Sequence, residues 1–317
     1  MSRSSTATDC AAALDRTKLH AAHYADNAGF VAADILSNEP IAQDTFRLRV
    51  AGAEIARRIT PGQFVMLRLQ GCDDPLLGRA FALYDSTAAG QQQEATLDLV
   101  YLVHGKLTTA LATRQAGDRV EIWGPLGNGF TARDAQPSAA GEARFEHLIM
   151  VAGGIGQTPF LALGREALGR QRYGNDSRRP VISAERVTLC YGVRSKALLA
   201  GEADFRDAGF ELRIASDDGS IGHHGLVTEV LGELLDGVTS QAQTLVACCG
   251  PEPMMQAVAK ACAAAGVRCL VSLETPMACG IGVCFSCVAP VRQEDGEWDY
   301  KRTCVEGPIF DAEKIAW

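Results

Sequence analysis

At 317 residues the chain is long for a single core, so two or three domains are expected. Its 47% hydrophobic and 21% charged residues match an ordinary globular protein, while a net charge of -8 argues against a nucleic-acid or anionic-membrane surface, whose phosphates it would repel. Eleven cysteines with no secretory h-region do not read as a disulfide framework but as reduced thiols of a cytoplasmic protein, and the lack of any eighteen-residue apolar run leaves no membrane span to expect.

Residues 1–28 form a Ser/Ala-rich extension, broken by Asp9, Asp15 and Asp26, and a loosely packed segment is the default expectation. From Phe30 the texture is β-rich: Phe30 to Leu36, Thr45 to Val50, Gln63 to Leu69, Ala80 to Tyr84, Ala95 to Val103 and Arg119 to Trp123 are short runs between Pro, Gly and Asp breaks. With only one clear helical stretch among them, Lys106 to Arg114, they predict a small antiparallel barrel over residues 29–135. Within it Arg79-Ala80-Phe81-Ala82 opens a strand. An arginine fork there can clamp a diphosphate while strand backbone bonds a flavin edge, and the helix N-terminus at Gly105-Lys106-Leu107-Thr108 points at an anion. A surface arginine and an ordinary N-cap explain either piece equally well on its own.

Polar, Ala/Gly-rich residues 131–145 mark a domain boundary. Beyond them strands at His147 to Val151, Val187 to Tyr191, Glu211 to Ile214, Thr244 to Cys248 and Arg268 to Val271 alternate with helices ending near Leu168 and spanning Leu226 to Leu235 and Met254 to Ala264. That alternation predicts a parallel sheet over residues 145–270, with Arg172 to Arg186 as a polar surface loop. The turn Gly153-Gly154-Ile155-Gly156-Gln157-Thr158-Pro159 is a strand-to-helix phosphate loop, short of the full dinucleotide fingerprint. As a bare pattern it is as readily a packing turn, but Cys249-Gly250-Pro251 repeats the arrangement after another strand, and two such turns facing one crevice describe a nicotinamide site. Carboxylates at Asp217 and Asp218 would accept from a ribose 2′-hydroxyl and repel a 2′-phosphate, favouring NAD; a solvated Asp-Gly turn is the plain alternative.

Residues 271–317 carry Cys279-x4-Cys284-x2-Cys287 and, sixteen residues on, Cys304, the ligand spacing of a plant-type [2Fe-2S] cluster. Gly280 and Gly282 let the loop approach inorganic sulfide closely. A structural zinc site also uses four cysteines, but as two short symmetric pairs. The other seven cysteines stand mostly in apolar surroundings as small hydrophobes.

Taken in order, these residues resemble the ferredoxin reductase superfamily and, more closely, the electron-transfer subunits of heteromeric, NAD-linked dihydroorotate dehydrogenases, from about Phe30 to Phe310. The resemblance implies a β barrel plus α/β architecture: a flavin-binding barrel, a nucleotide-binding parallel sheet and a C-terminal [2Fe-2S] module. It implies FAD on Arg79 to Ala82, Gly105, Leu107 and Thr108, with Val100, Tyr101 and Leu102 as the strand beside the isoalloxazine. Gly153, Gly154, Gly156, Asp218, Cys249 and Gly250 would serve NAD, and Cys279, Cys284, Cys287 and Cys304 the cluster. Two positions depart from the pattern: Ala82 replaces a serine expected near the flavin N5, and Leu107 a glycine expected beside the diphosphate. The implied activity is a relay in pyrimidine biosynthesis, from a flavin-bearing catalytic subunit in a heterotetramer through cluster and FAD to NAD(H), with no acid-base constellation of its own. A reductase component of an oxygenase, an NADP-linked bifurcating subunit and a non-enzymatic iron-sulfur sensor are the rival readings.

Overall fold

The computed structural model describes residues 27–87, 95–136 and 141–317. The N-terminal extension therefore lies, but for its last two residues, outside the described residues, as does part of the 131–145 boundary segment.

Seven strands build the first sheet: β1 (Gly29–Ala42), β2 (Thr45–Ala51), β3 (Phe64–Leu69), β4 (Arg79–Ala82), β5 (Asp85–Thr87), β6 (Thr96–Leu102) and β7 (Arg119–Leu126), in the order β4-β3-β7-β1-β2-β6-β5 and antiparallel throughout. Its ends curl together, so Phe81 of β4 meets Tyr101 of β6 edge-on at 5.9 Å, closing a barrel around Leu48, Val50, Val65, Leu67, Leu97 and Ile122. Closure leaves a seam. β5 pairs with β6 only over Thr96 to Asp98, so Leu99 to Leu102 have a ladder on one side only and face β4, itself an edge strand. Besides α2 (Lys106–Leu111) the barrel holds a helix that the sequence reading passed over, α1 (Ala53–Arg58), which buries Ile55 and Ala56 before Pro61 ends the run.

After the short α3 (Ala132–Ala135) the second sheet runs β11-β10-β9-β8-β12-β13-β16. Its parallel strands are β8 (Ala143–Gly153), β9 (Ile182–Val193), β10 (Glu211–Ser216), β11 (His223–His224), β12 (Thr244–Cys249) and β13 (Arg268–Ser272). β16 (Ile309–Asp311) closes the edge antiparallel to β13. Alternate residues of β8 serve opposite faces, as period two requires. Leu148, Met150 and Ala152 join a core shared with α4 (Phe160–Ala167), α5 (Glu202–Asp207) and the barrel residues Tyr84, Val100 and Phe130. Ile149 and Val151 pack instead under α6 (Val227–Asp236) and α7 (Glu252–Ala265).

Arg172 to Arg186 is not the polar surface loop expected. Ile182 to Arg186 already belong to β9, and Tyr173 is fully buried with its hydroxyl donating to Asp85 of the barrel at 2.6 Å. Its polar texture belongs to a junction between the two sheets, where charged groups are paired. After β13 come the cysteine loop and a hairpin, β14 (Val288–Arg292) with β15 (Trp298–Arg302). Asn128, leaving the barrel, accepts from the Ile309 amide (3.1 Å) and donates to the Ile309 carbonyl (2.8 Å), tying this last module to the first.

Candidate functional site

The barrel seam opens into a cavity of about 650 Å³. Arg79 to Ala82 line one bank and Val100 to Leu102 the other, with His104 to Thr108 at one end and Glu274 to Met277 across it. Strand alternation divides these residues. Phe81 and Tyr101 send their rings into the barrel, where Tyr101 donates to Asn38 at 3.0 Å and burial pushes its hydroxyl up to about 12. Arg79 and Ala80 are exposed on the outer side and Ala82 half-buried. The Arg79 guanidinium bonds only the backbone carbonyls of Leu77 (3.3 Å) and Gly78 (3.0 Å) among the described residues, leaving its fork for an anion. Leu107, the expected obstruction, is buried with Leu111 in the barrel core, so its side chain is packed away rather than standing in the groove. Lys106 at the mouth pairs with Asp74 at 2.5 Å.

A second cavity, of about 670 Å³, lies at the C-terminal ends of β8, β9, β10 and β12. β8 is followed by β9 on one side, and β12 then adds on the other, so the crevice occupies the topological switch point where open α/β sheets bind ligands. The glycines there do different work. A Cβ on Gly156 would stand 2.3 Å from the Cys249 carbonyl oxygen, and one on Gly153 would stand 2.7 Å from the Met254 sulfur, so both serve close packing. Gly250, at φ +158, presses equally on Met254. Gly154, at φ +55, has nothing within 4 Å of its missing Cβ and fronts open space. Of the two carboxylates, Asp217 lines the crevice with Arg194, whereas Asp218 turns to Ser220, accepting from its hydroxyl (2.6 Å) and amide (2.9 Å), which hold it below the usual carboxylate range. Cys249 lines the first cavity, its thiol pushed up to about 12 by burial and then by the Glu274 charge. Leu102, Ile155 and Glu274 line both cavities. Glu274, Thr45 and Arg194 were passed over in the sequence; Glu274 follows a parallel strand at the ligand edge, a position that the switch-point rule could have flagged.

Cys279, Cys284, Cys287 and Cys304 come together in one loop system. The Cys287 and Cys304 sulfurs stand 3.2 Å apart in a buried cluster with Phe64, Met66 and Leu126. Cys279 accepts from the Ile281 amide at 3.4 Å, and exposed Cys284 contacts the Ser286 hydroxyl at 3.1 Å, which, with Cys279, lowers its thiol to about 6. Two thiolates on one tetrahedral metal with bonds of about 2.3 Å would stand roughly 3.8 Å apart, close to the Cys287–Cys304 separation. Among the described residues no three Cys, His, Asp or Glu side chains converge on one point as a single ion requires. A pairwise arrangement suits two irons better than one zinc. Gly280 and Gly282, at φ +72 and +81, fold the loop so tightly that a Cβ would stand 2.4 Å from Met66 and 2.6 Å from Val305. Trp123 of β7 donates to the Cys279 carbonyl (2.9 Å), and Arg302, ion-paired with Glu306, donates to the Gly282 carbonyl (3.0 Å).

Family models match three successive stretches: an oxidoreductase FAD-binding domain over residues 32–130, an oxidoreductase NAD-binding domain over 150–260, and the iron-sulfur cluster binding domain of dihydroorotate dehydrogenase B over 274–316. The electron transfer subunit of dihydroorotate dehydrogenase B (NAD(+)) from Geobacillus thermodenitrificans is 34% identical over 281 residues, 89% of this chain and 96% of that protein. Its counterpart from Desulforamulus reducens is 33% identical over 285 residues, 90% and 97% of the two chains. The chain belongs to this family of electron-transfer subunits. It is an oxidoreductase subunit whose cofactors are FAD, NAD and an iron-sulfur cluster. An electron-transfer subunit implies a catalytic partner subunit. Among solved structures, an NADH-dependent reduced ferredoxin-NADP oxidoreductase studied for flavin-based electron bifurcation superposes with TM-score 0.70 at 25% identity, covering 91% of each chain. A ferredoxin NADP+ reductase from Neisseria gonorrhoeae with bound FAD and NADP shares the fold at TM-score 0.55 and 18% identity, over 75% of this chain and 92% of that one. No helix among the described residues of this family member is long and apolar enough to cross a membrane.

Proposed function

We propose that this subunit is the NAD-reducing arm of a cytoplasmic dihydroorotate dehydrogenase, assembled as a heterotetramer with a flavin-bearing subunit that oxidises dihydroorotate to orotate. Arg79 would clamp the FAD diphosphate, with the unpaired backbone edges of Ala80 to Ala82 and Val100 to Leu102 along the ring. Gly105 and Thr108 close that end of the groove. Gly154 and the amides after it would take the NAD pyrophosphate, and Asp217 the ribose. Cys279 with Cys284, and Cys287 with Cys304, would each hold one iron of a [2Fe-2S] cluster. When bound, FAD joins a one-electron carrier to a two-electron carrier, which no side chain here can do.

One observation carries the reading. Met277 lines the flavin groove, and Cys279 follows two residues later, so their Cα atoms lie at most about 7 Å apart, while the same groove shares Leu102, Ile155 and Glu274 with the nucleotide crevice. Cluster, flavin and nicotinamide therefore fall in one line. The outer end of that line is apolar: Val283 is 72% and Phe285 64% exposed, with Ile281 beside them around exposed Cys284. Ile309 and Phe310, read from sequence as part of this face, pack inward instead, Ile309 at 2% exposure and Phe310 against the core under α7. A second reading, a subunit of a bifurcating assembly, draws on the likeness at TM-score 0.70.

The test is to assay the purified chain for NADH-dependent dye reduction and for dihydroorotate:NAD activity, alone and with the candidate catalytic subunit. Dye reduction alone, with dihydroorotate turnover only on reconstitution, is expected. Turnover by the isolated chain would overturn the division of labour, and NADPH-dependent ferredoxin reduction would favour the second reading.

A further inference from the structure

The strand that forms one bank of the flavin groove continues, three residues beyond Ala80, into a place with no part in either cavity. Leu83 leads from β4 into Tyr84 and Asp85, and these two consecutive residues are gripped from opposite sides by the nucleotide-binding half. Tyr84 is fully buried and donates its hydroxyl to Asp204 of α5 at 2.7 Å. Arg47 of β2 donates to both Asp204 oxygens at 3.3 Å, stands over the Tyr84 ring at 5.1 Å, and bonds Asp98 of β6 at 3.0 Å, which Arg49 holds at 2.7 Å. The socket is shaped for this: Gly201, at φ +72, would put a Cβ 2.4 Å from the Tyr84 oxygen. Asp85, also buried, accepts from Tyr173 at 2.6 Å and from Arg165 of α4, while Gln171 donates to the neighbouring Ser86 carbonyl at 2.6 Å.

We infer that Tyr84–Asp204 and Asp85–Arg165–Tyr173 form a two-point latch whose residues are positioning residues for hydride transfer, fixing the spacing between flavin groove and nucleotide crevice. The strands that carry the latch also wall the crevice. β2 presents Thr45 to it and Arg47 to the latch, and β6 presents Leu102 to it and Asp98 to the latch. A shift at either grip is therefore delivered to the crevice wall within one strand. A network of buried ion pairs is a poor source of stability but a strict source of geometry, since each charge tolerates few arrangements. Burial and the Asp204 carboxylate hold the Tyr84 hydroxyl well above its ordinary range, so it stays a donor. Burial works against the Arg47 charge, but Asp98 and Asp204 outweigh it. Hydride transfer is the step that reads such spacing, because a displacement of 1 Å can cost on the order of a hundredfold in rate.

The proposal rests on the FAD and NAD assignments above but not on the catalytic partner, and its test is chosen accordingly. Tyr84→Phe, Asp204→Ala and Asp85→Asn are made in the FAD- and cluster-loaded chain. Anaerobic flavin bleaching by NADH and by 4-deuterated NADH is followed in stopped flow, together with the distance distribution between spin labels on β1 and α7. The expected result is retained flavin and cluster absorbance, a bleaching rate lowered tenfold or more, and an NADH dissociation constant within about threefold of the parent. The distance distribution should broaden, and Asp204→Asn should recover part of the rate because it keeps an acceptor for Tyr84. An unchanged rate with an unchanged distribution overturns the latch. So does loss of flavin in all three variants, which marks the network as merely structural, or a change confined to NADH affinity, which marks it as part of the binding site.

Discussion

Replacing Gly156 by alanine asks whether the glycine turn after β8 is a packing joint. Its new Cβ would stand 2.3 Å from the Cys249 carbonyl oxygen, 2.6 Å from the carbonyl carbon and 2.8 Å from the Gly250 nitrogen. All three are backbone atoms, so no rotamer change relieves the contact, and the shortest falls more than 1 Å inside ordinary van der Waals distance. The turns after β8 and β12 must part where Ala152 and Cys249 are paired. Overpacking of this kind costs about 1–3 kcal/mol, and at roughly 2–4 °C per kcal/mol in a domain of this size a cost of about 2 kcal/mol lowers Tm by roughly 4–8 °C. Because the parted turns floor the crevice, the KM for NADH should rise with the fall in Tm. Gly154→Ala and Gly169→Ala calibrate the result: both glycines have left-handed φ, +55 and +66, and no atom within 4 Å of the missing Cβ, so each should lose only the left-handed penalty of about 1 kcal/mol. Only Gly154→Ala of those two should raise KM, because only it fronts the crevice. Differential scanning calorimetry and steady-state dye reduction measure both quantities. Wild-type Tm and KM in Gly156→Ala would refute the packing argument.

Asp217→Ser should leave Arg194 as the charge nearest the ribose and improve kcat/KM for NADPH about tenfold, the scale of one charged hydrogen bond; an unchanged NADH:NADPH ratio would remove Asp217 from recognition. Cys304→Ser should abolish or strongly shift the EPR signal of the reduced cluster, and Cys262→Ser, a buried thiol outside the loop, should leave it unaltered. His147 is held down to about 4 by burial and then by Arg186, and binds Thr188 at 2.8 Å. Its folded value is below the unfolded one, so its contribution is fully present above about pH 6.5 and is lost as pH falls toward 4. Urea midpoints across that window should fall less steeply in His147→Asn than in the parent.

Legibility in the sequence followed the strength of local signals. The cysteine spacing located a loop system whose glycines do occupy left-handed φ, and the two glycine turns located the switch point, because both are chemistry written in adjacent residues. What escaped was tertiary. α1 spans six residues, too few for helical periodicity to stand out. Ile182 to Arg186 looked like loop because their ladder partner, the start of β8, itself lies in a stretch read as linker. Asp217 and Asp218 are indistinguishable by pattern, and only the Ser220 hydrogen bonds decide which one faces the crevice. Leu107 was read as an intruder because the sequence gives its size and not its direction; packed into the barrel core, it does not stand in the groove.

β16 has a consequence for the order of events during synthesis. It is the seventh strand of the second sheet, yet it comes after the whole cysteine loop and after Cys304, and Arg268 at the start of β13 is ion-paired with Asp311 within it at 2.6 Å. As the chain emerges, the barrel and six strands of the sheet are available to fold while the edge of β13 still lacks its neighbour. An open edge is a site for mispairing with other chains. The residues that cover it are delivered together with the fourth cysteine, so iron loading and sheet completion are coupled. A nascent chain starved of iron at that moment has its last strand placed by Asn128 and Arg268 alone, which makes edge-driven aggregation the expected fate of iron-limited expression.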